Sequence, residues 1–293
     1  MTYCLGWKTQ TCAYLVADTA TTSPRPLSTL RSSFGEQHVS GVKENIQEGA
    51  LKIISAHNAG ITFSGDSRLG YEVVETLRMA VKAGVAPQPA LKRAIDSNIN
   101  PGGELDLSVL YAFVEGGDAH LISFNRDHDR CYVEHAPGDL VQLGYLVGQE
   151  GTFVCQISDA FLGKLRMELG GSSLLACALG LCQSYGIHNV LLTHRAGGAF
   201  VGAFVDASGF HWQPDIAYLL FTPGEPNFSE HAAVFPFVRD DVLVVRSLLA
   251  DGPPRIFINS LGEHRKMALK RASNVDRQCL AALRGLQFDH LVD

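Results

Sequence analysis

The sequence lacks an excess of basic residues, and it lacks closely spaced cysteine pairs. Its 293 residues contain 24 Lys and Arg against 30 Asp and Glu, which gives a net charge of −6. A surface that binds nucleic-acid phosphates needs clustered positive charge, so we expect no nucleic-acid partner. The seven cysteines include no Cys-x-x-Cys pair, and their number is odd. This pattern favours buried, reduced thiols over a zinc site.

The chain also lacks a hydrophobic run that could cross a membrane. A long stretch without Asp, Glu, Lys or Arg covers residues 170–194, and Ser, Gly, His and Asn interrupt it. A membrane helix needs about 20 mostly apolar residues. The first residues show no basic segment followed by an apolar stretch of about 7–15 residues, which an export signal would need. We therefore expect a cytoplasmic protein without a membrane partner.

Charged residues are scarce as well. They make up 18% of the chain, whereas hydrophobic residues make up 46%. An average soluble domain has roughly 25% charged residues. Part of the surface is therefore expected to be buried against copies of the same chain, which predicts a homo-oligomer.

Apolar stretches of strand length alternate with helical periodicities. Strands are predicted at 2–7, 13–17, 52–55, 60–64, 107–114, 119–124, 131–134, 141–146, 190–192, 200–205 and 217–221. Helices are predicted at 68–83, 89–97, 153–169 and 172–184. The Ser/Thr/Pro-rich segment between Asp18 and Lys52 is too long for a tight turn and is interpreted as a surface excursion. Blocks of strands that alternate with helix pairs predict two stacked antiparallel sheets with helices on both outer faces.

The chain length allows either one large domain or two ordinary ones. We predict a domain over residues 2–222 and a C-terminal extension over 223–293 that packs on it. The extension contains a basic amphipathic helix near residues 264–286. At this net charge, the basic residues are interpreted as the solvated face of a packed helix rather than a surface for nucleic acid or membrane.

Thr2 is the most informative position in the sequence. A methionine followed by a small residue is ordinarily removed, so the mature chain would begin with a threonine that has both a hydroxyl and a free α-amine. Such an amine has a pKa of about 7.7–8.0 and can act as the base for the hydroxyl. Thr2 is therefore a candidate nucleophile.

An N-terminal nucleophile needs a nearby positive charge and a carboxylate that holds this charge in place. Asp18 ends the second predicted strand and Lys52 begins the third, so an antiparallel sheet can bring both beside Thr2. The alternative is that Asp18 caps a turn and that Lys52 extends along the surface to solvent. Gly65 lies between a strand and a helix, where backbone N–H groups could face a developing oxyanion. It could equally be an ordinary turn glycine.

Five stretches together resemble the proteasome β-subunit and HslV branch of the Ntn hydrolases. They are Met1-Thr2-Tyr3-Cys4, Val16-Ala17-Asp18-Thr19, Leu51-Lys52-Ile53-Ile54, Ile61-Thr62-Phe63-Ser64-Gly65-Asp66 and Ala196-Gly197-Gly198-Ala199-Phe200. The start of the chain is most similar to the Anbu-type bacterial proteasome homologues. The resemblance covers about residues 2–220. It implies an α+β fold, a four-layer αββα sandwich of the Ntn-hydrolase type, to which this chain adds its C-terminal extension.

The resemblance also implies a function and a site. It implies a threonine peptidase that assembles with its own copies into a ring or a helix. The nucleophile, orienting aspartate, activating lysine and oxyanion glycine of the family fall here on Thr2, Asp18, Lys52 and Gly65. The substrate would be a peptide or a small amide, cleaved through an acyl-enzyme, and no metal or organic cofactor would be required.

The sequence departs from the family pattern at two places. The stretch 148–151, which contains Glu150, stands where the family usually has Gly-Ser-Gly near the nucleophile. Thr193 and Ala196 stand where the family has an aspartate and a serine. The proton relay that supports the α-amine is therefore altered, and Glu150 is the candidate to replace part of it. Retention of the four catalytic positions favours an enzyme, whereas the altered relay favours a self-assembling scaffold subunit with impaired catalysis.

Two other motifs point elsewhere but are weaker. The stretch 64–69 superficially resembles the signature of SGNH esterases, with Ser67 as the nucleophile. That signature needs a late Asp-x-x-His, and none of the 11 histidines has an aspartate three residues before it. Asp127-His128-Asp129 could bind a metal, but a polar cluster between two strands is more typical of a hairpin tip.

Overall fold

The computed structural model describes residues 3–23, 31–41, 44–98, 106–125, 131–144, 169–188, 191–220, 233–250, 252–258 and 262–292. Over these residues the chain is an α+β protein with several antiparallel sheets, which confirms the predicted class at this level. Among the described helices, none is both long enough and apolar enough to span a membrane.

The elements follow in this order along the chain. The strands are β1 (Tyr3–Lys8), β2 (Ala13–Asp18), β3 (Ala20–Ser23), β4 (Val39–Ser40), β5 (Asn45–Glu48), β6 (Ile53–Ala56), β7 (Ala59–Gly65), β8 (Leu107–Glu115), β9 (Asp118–Asn125), β10 (Cys131–Glu134), β11 (Leu140–Gly144), β12 (Phe200–Asp206), β13 (Gly209–Trp212), β14 (Tyr218–Leu219), β15 (Ala233–Arg239), β16 (Val242–Ser247) and β17 (Arg255–Ile258). The α-helices are α1 (Ser67–Lys82), α2 (Pro87–Asn98), α3 (Gly171–His188) and α4 (Gly262–Gly285).

Two five-stranded antiparallel sheets pack against each other. One has the strand order β11-β1-β2-β12-β13, and the other has the order β10-β9-β8-β7-β6. Small and aliphatic side chains fill the space between them, among them Leu15 from the first sheet and Leu110 and Leu121 from the second. Gly6 permits this close approach, because an added Cβ would lie 3.1 Å from the side chain of Leu110. Every residue of β1 and β2 is buried, which explains why both read as continuous apolar runs.

Helices cover the other face of each sheet. Successive strand residues point to opposite faces, so Tyr111 in β8 packs in the cluster with α1 and α2, whereas its neighbour Leu110 faces the other sheet. α3 packs on the first sheet through Leu175 and Leu179. At Gly202 in β12, an added Cβ would lie 2.7 Å from the side chain of Leu175, so the missing side chain lets α3 approach the sheet.

A third sheet, of order β14-β15-β16-β17, contains most of the C-terminal strands. α4 packs on one of its faces around Phe235, Val244 and Val275. Val245 on the other face belongs to a cluster with Leu51, from the chain that precedes β6. β14 precedes residue 222 and its sheet partners follow it, and the division into 2–222 and 223–293 stays a prediction.

One local prediction is wrong, and another is incomplete. The strand predicted at 190–192 is instead the start of a 3-10 helix, Leu191–His194. The chain turns there, because Arg195, Gly197 and Gly198 all have positive φ. In the described part of the segment between Asp18 and Lys52, the chain does more than run over the surface, because β3, β5 and β4 form a small sheet and Glu48 is buried.

Several predicted features lie outside the described residues. They are Thr2, Glu150, the Asp127-His128-Asp129 turn and nearly all of the helix predicted at 153–169.

Candidate active site

Asp18 and Lys52 form a buried ion pair at one end of the first sheet. β1 and β2 are antiparallel, so the end of β2 lies beside the start of β1, with Ala17 opposite Cys4. Lys52 directly precedes β6 in the second sheet. Its Nζ lies 2.5 Å from Asp18 Oδ1, and the two side chains are 4% and 0% exposed. The structure therefore brings together two of the residues that the sequence singles out.

Further donors hold this pair in place. Lys52 Nζ also donates to the carbonyl of Ala20. The backbone N–H of Gly197 donates to Asp18 Oδ2 at 2.8 Å, and the backbone N–H of Tyr3 also faces this carboxylate. Burial raises the pKa of the Asp18 carboxyl, while the Lys52 ammonium and the two N–H groups oppose this rise because they favour the carboxylate.

Tyr3 connects this carboxylate to the start of the chain. It is fully buried in β1, where it lies opposite Gly144. Its hydroxyl donates to Oε1 of Gln142 at 2.7 Å. This hydrogen bond fixes the side chain of Tyr3. Thr2 is joined to Tyr3 by a peptide bond and, like Glu150, lies outside the described residues.

Gly65 ends β7, one residue before the cap of α1. Its φ is +108°, and an added Cβ would lie 2.0 Å from the carbonyl oxygen of Asp106. Only glycine fits such a position. The N–H of Asp66 donates to the same carbonyl at 2.6 Å, and the Asp66 carboxylate caps α1 by accepting from the N–H groups of Arg68 and Leu69. The backbone between strand and helix is therefore fixed.

An open pocket of about 340 Å³, including the part open to solvent, has both Lys52 and Gly65 in its wall. Ala50, Phe63 and Tyr71 supply apolar surface, and Ala20 and Thr21 from β3 complete one side. Burial raises the pKa of Tyr71 to about 12, so its hydroxyl is neutral at physiological pH. Among the described lining residues, Lys52 alone is charged, and its ion pair with Asp18 neutralises this charge, so the wall suits an uncharged substrate group.

The loop at residues 195–199 supplies the Gly197 N–H, and buried side chains hold it. Gln183 on α3 donates from Nε2 to the carbonyl of Gly198 and accepts from the N–H of Phe200, both at 2.9 Å. The N–H of Ala199 donates to Glu48 Oε1 at 2.8 Å and to Thr19 Oγ1 at 3.0 Å. Sequence reasoning missed both Gln183 and Glu48.

One of these two residues left a signal in the sequence. Gln183 is a lone amide on a helix that is otherwise rich in apolar residues, and a polar side chain in such a helix usually bonds a specific partner. Glu48 left none, because a glutamate in a polar segment normally faces solvent.

Two serines, Ser67 and Ser208, are other candidate nucleophiles, but neither is part of a Ser-His-Asp relay among the described residues. Ser67 lines the pocket, but no histidine is among the described lining residues. On the β12–β13 hairpin, Ser208 Oγ and Asp206 Oδ1 lie 2.8 and 3.1 Å from the same nitrogen of His211, Nε2. A Ser-His-Asp relay needs the serine and the aspartate on different ring nitrogens.

Two positions that depart from the family pattern supply no buried polar side chain to the Asp18–Lys52 pair. Ala196 is fully buried and has no polar side-chain group, and Thr193 is exposed. No group of three His, Cys, Asp or Glu side chains in the described part of the chain could hold a metal ion.

Comparison with known proteins assigns no family to the chain. It matches no protein-family model, and a search of curated proteins also finds no match. Function therefore has to be inferred from the site itself.

Proposed function

We propose that the protein is an N-terminal threonine hydrolase that cleaves amide bonds through an acyl-enzyme. One observation carries this proposal: the buried Asp18–Lys52 pair lies at the end of β2 that is beside the start of β1, where Ala17 is opposite Cys4, two residues after Thr2. A fixed cation and carboxylate beside the start of the chain are what a terminal threonine nucleophile requires.

The arrangement of layers supports the same proposal. Two antiparallel sheets share one interior, and helices cover their other faces. We infer that these layers form the four-layer αββα sandwich of the Ntn hydrolases. The low share of charged residues, 18% of the chain, supports the further inference of a homo-oligomer, since an average soluble domain has roughly 25%.

The proposed reaction uses one residue as both nucleophile and base. After removal of Met1, the Thr2 hydroxyl attacks the amide carbonyl carbon and its proton passes to the Thr2 α-amine. The Lys52 ammonium stabilises the developing alkoxide electrostatically, and the backbone N–H of Gly65 stabilises the oxyanion. The α-amine then protonates the leaving amine. Water hydrolyses the remaining ester and regenerates Thr2.

The pocket indicates the type of substrate. Its wall beside Lys52 combines Ala50, Phe63 and Tyr71 with the hydroxyl of Thr21. Such a surface favours an uncharged, moderately sized side chain next to the scissile amide, in either a peptide or a small amide. An acidic substrate group would compete with Asp18 for Lys52.

A second candidate function is a scaffold subunit with impaired catalysis. The buried Ala196 favours it, because this residue stands where the related enzymes have a serine and it has no group to pass a proton. The scaffold would keep the fold and the self-assembly, and the Asp18–Lys52 pair would then serve stability alone.

One experiment separates the two. The intact mass of the full chain is measured before and after incubation with an electrophile that reacts with N-terminal threonine, for the wild type, Thr2→Ala and Ser67→Ala. Loss of Met1, with a single adduct that disappears only in Thr2→Ala, supports the hydrolase. Retention of Met1, or an adduct that does not depend on Thr2, rules it out. Loss of the adduct in Ser67→Ala alone would indicate the esterase alternative.

A further inference from the structure

We propose that Arg255, in the C-terminal sheet, is a positioning residue for the candidate active site and acts through Glu48. The inference rests on the proposed function. Arg255 pairs with Glu48, Glu48 binds the loop at residues 195–199, and that loop donates the Gly197 N–H to Asp18. The C-terminal extension would thereby support catalysis without touching the substrate.

Glu48 is the centre of this connection, and its side chain is fully buried. Its Oε2 accepts from the N–H and the Oγ of Ser33, at 2.8 and 2.7 Å, and from Arg255 Nη1. Its Oε1 accepts from the N–H of Ala199 at 2.8 Å. A carboxylate taken out of water needs a compensating charge, and Arg255 is the cation that forms an ion pair with it.

The loop packs directly on this carboxylate. At Gly198, an added Cβ would lie 2.5 Å from Glu48 Cγ, so the backbone and the Glu48 side chain are in tight contact. Gly197 is the next residue back along the loop, and its N–H is 2.8 Å from Asp18 Oδ2. A displacement of Glu48 therefore shifts a donor that orients the Asp18–Lys52 pair.

Glu48 lies near a second carboxylate, that of Glu36, so a cation is needed to balance the negative charge. Glu48 is faced by Arg255 from β17, by Glu36 from the segment before β4, and by the uncharged Ser33 and loop amides. Burial and, to a smaller extent, the charge of Glu48 raise the pKa of Glu36 to about 7, although the N–H groups of Leu192 and Gly198 oppose the rise. Without Arg255, ionisation of both carboxylates would leave two uncompensated negative charges behind the loop.

The C-terminal sheet also holds the segment that carries these groups. Arg255 Nη2 donates to the carbonyl of Arg31, and the Oγ of Ser247 donates to the carbonyl of Ser33 at 2.5 Å. Both bonds join residues more than 200 positions apart in the chain. The extension is thus bonded to the structure behind the active-site loop.

The test compares Arg255→Met, Arg255→Lys, Glu48→Gln and the double variant Arg255→Met/Glu48→Gln. The rate of Thr2 acylation by the electrophile is measured on the full chain from about pH 5 to about pH 9. Arg255→Met is expected to lose about tenfold at the alkaline end, where both carboxylates ionise and displace the loop. At the acid end, where Glu36 is protonated, the loss is smaller.

The double variant distinguishes charge compensation from simple packing. Glu48→Gln removes the charge that Arg255 neutralises and keeps an oxygen to accept from Ala199, so it should restore most of the rate that Arg255→Met loses. Arg255→Lys should retain part of the rate because it keeps the charge. Arg239→Met is the matched control, since Arg239 also lies in the C-terminal sheet but pairs with the half-exposed Asp215. Its rate and pH profile should equal those of the wild type.

Hydrogen exchange of the amides at residues 195–199 provides a readout that does not need catalysis. Arg255→Met should accelerate this exchange, and the double variant should reverse the effect. Wild-type exchange and a wild-type pH profile in Arg255→Met would overturn the inference. If Arg255→Met does not fold, a double variant that folds but stays slow would overturn it as well. Absence of Thr2 labelling in the wild type would instead reject the proposed function, and the exchange measurement would still decide whether Arg255 holds the loop.

Discussion

The protein buries two carboxylate–cation pairs that share one loop, and they differ in where the cation lies. Asp18 and Glu48 are both fully buried, and the loop at residues 195–199 donates an N–H to each. Lys52 lies in the wall of the pocket beside Gly65. Arg255 is in the C-terminal sheet, bonded to Glu48 and to a backbone carbonyl. Lys52 therefore faces the candidate substrate pocket, whereas Arg255 does not line it.

The choice of cation agrees with this difference. The ammonium of lysine is a compact point charge, which suits the stabilisation of a single developing alkoxide. The guanidinium of arginine is a rigid fork that bonds several acceptors at once, which suits a structural junction. Lys52 therefore fits a role in chemistry, and Arg255 fits a role in support.

The largest effect is expected when the first pair is broken. Lys52→Met leaves the Asp18 carboxylate buried without its cation, so the free energy of unfolding at neutral pH should fall by about 3–5 kcal/mol. Urea denaturation measures this change. Arg68→Met is the control, because Arg68 pairs with Glu72 on an exposed helix face and should cost about 0.5 kcal/mol or less. Equal losses in the two variants would contradict the view that burial makes the first pair important.

Glu36, which lies beside the Glu48–Arg255 pair, should make the free energy of unfolding depend on pH. Burial raises the pKa of Glu36 from 4.5 to about 7. Between these values the folded protein holds the proton more tightly than the unfolded chain does, so this stabilisation is complete below about pH 4.5 and is lost as the pH rises to about 7. The loss is on the order of 3 kcal/mol.

The measurement is the difference in unfolding free energy between the wild type and Glu36→Gln as a function of pH. Asp18 is present in both proteins, so its own titration cancels in the difference. The wild type should lose stability relative to Glu36→Gln as the pH rises through this window. A difference that does not change with pH would show that Glu36 is not held protonated by burial.

A smaller effect is expected from Gly198→Ala, which disturbs the second pair through the loop. The new Cβ would lie 2.5 Å from Glu48 Cγ at a residue whose φ is +71°. The steric clash and the backbone strain together should cost about 2 kcal/mol. Gly84 is the matched control, because its φ is +81° but nothing lies within 4 Å of the added Cβ. Gly84→Ala should therefore cost only the backbone strain, about 1 kcal/mol, and thermal unfolding compares the two.

The two pairs also show what a sequence can predict. Asp18 ends an apolar stretch and Lys52 precedes another, so both stood out in the sequence as neighbours of predicted strands. Their contact comes from the packing of the two sheets, because β2 and β6 lie in different sheets. Glu48 and Arg255 are 207 residues apart, and neither interrupts an apolar pattern. Only the packing of the C-terminal sheet on the rest of the chain brings them into contact, and no local periodicity carries that information.

Individual strands were likewise predicted where the local pattern defines them and missed where it does not. The strand predicted at 131–134 has the bounds of β10, because an apolar stretch that follows polar turn residues defines a short strand. The strand predicted at 190–192 was wrong because three apolar residues do not distinguish a strand from one helical turn. The half-buried sheet of β3, β4 and β5 was missed because its residues are mostly polar and its strands pair through hydrogen bonds that the sequence does not show.

The central claim is that the Asp18–Lys52 pair activates Thr2, and a charge-free replacement of the pair tests it most directly. Asp18→Asn/Lys52→Met removes both charges, leaves no unpaired buried ion, and keeps an oxygen to accept from the Gly197 N–H, so the protein should remain folded. The measurement is the rate at which the electrophile acylates Thr2 in this double variant. We expect a loss of about 100-fold or more with little change in thermal stability. An unchanged acylation rate in the folded double variant would contradict the account.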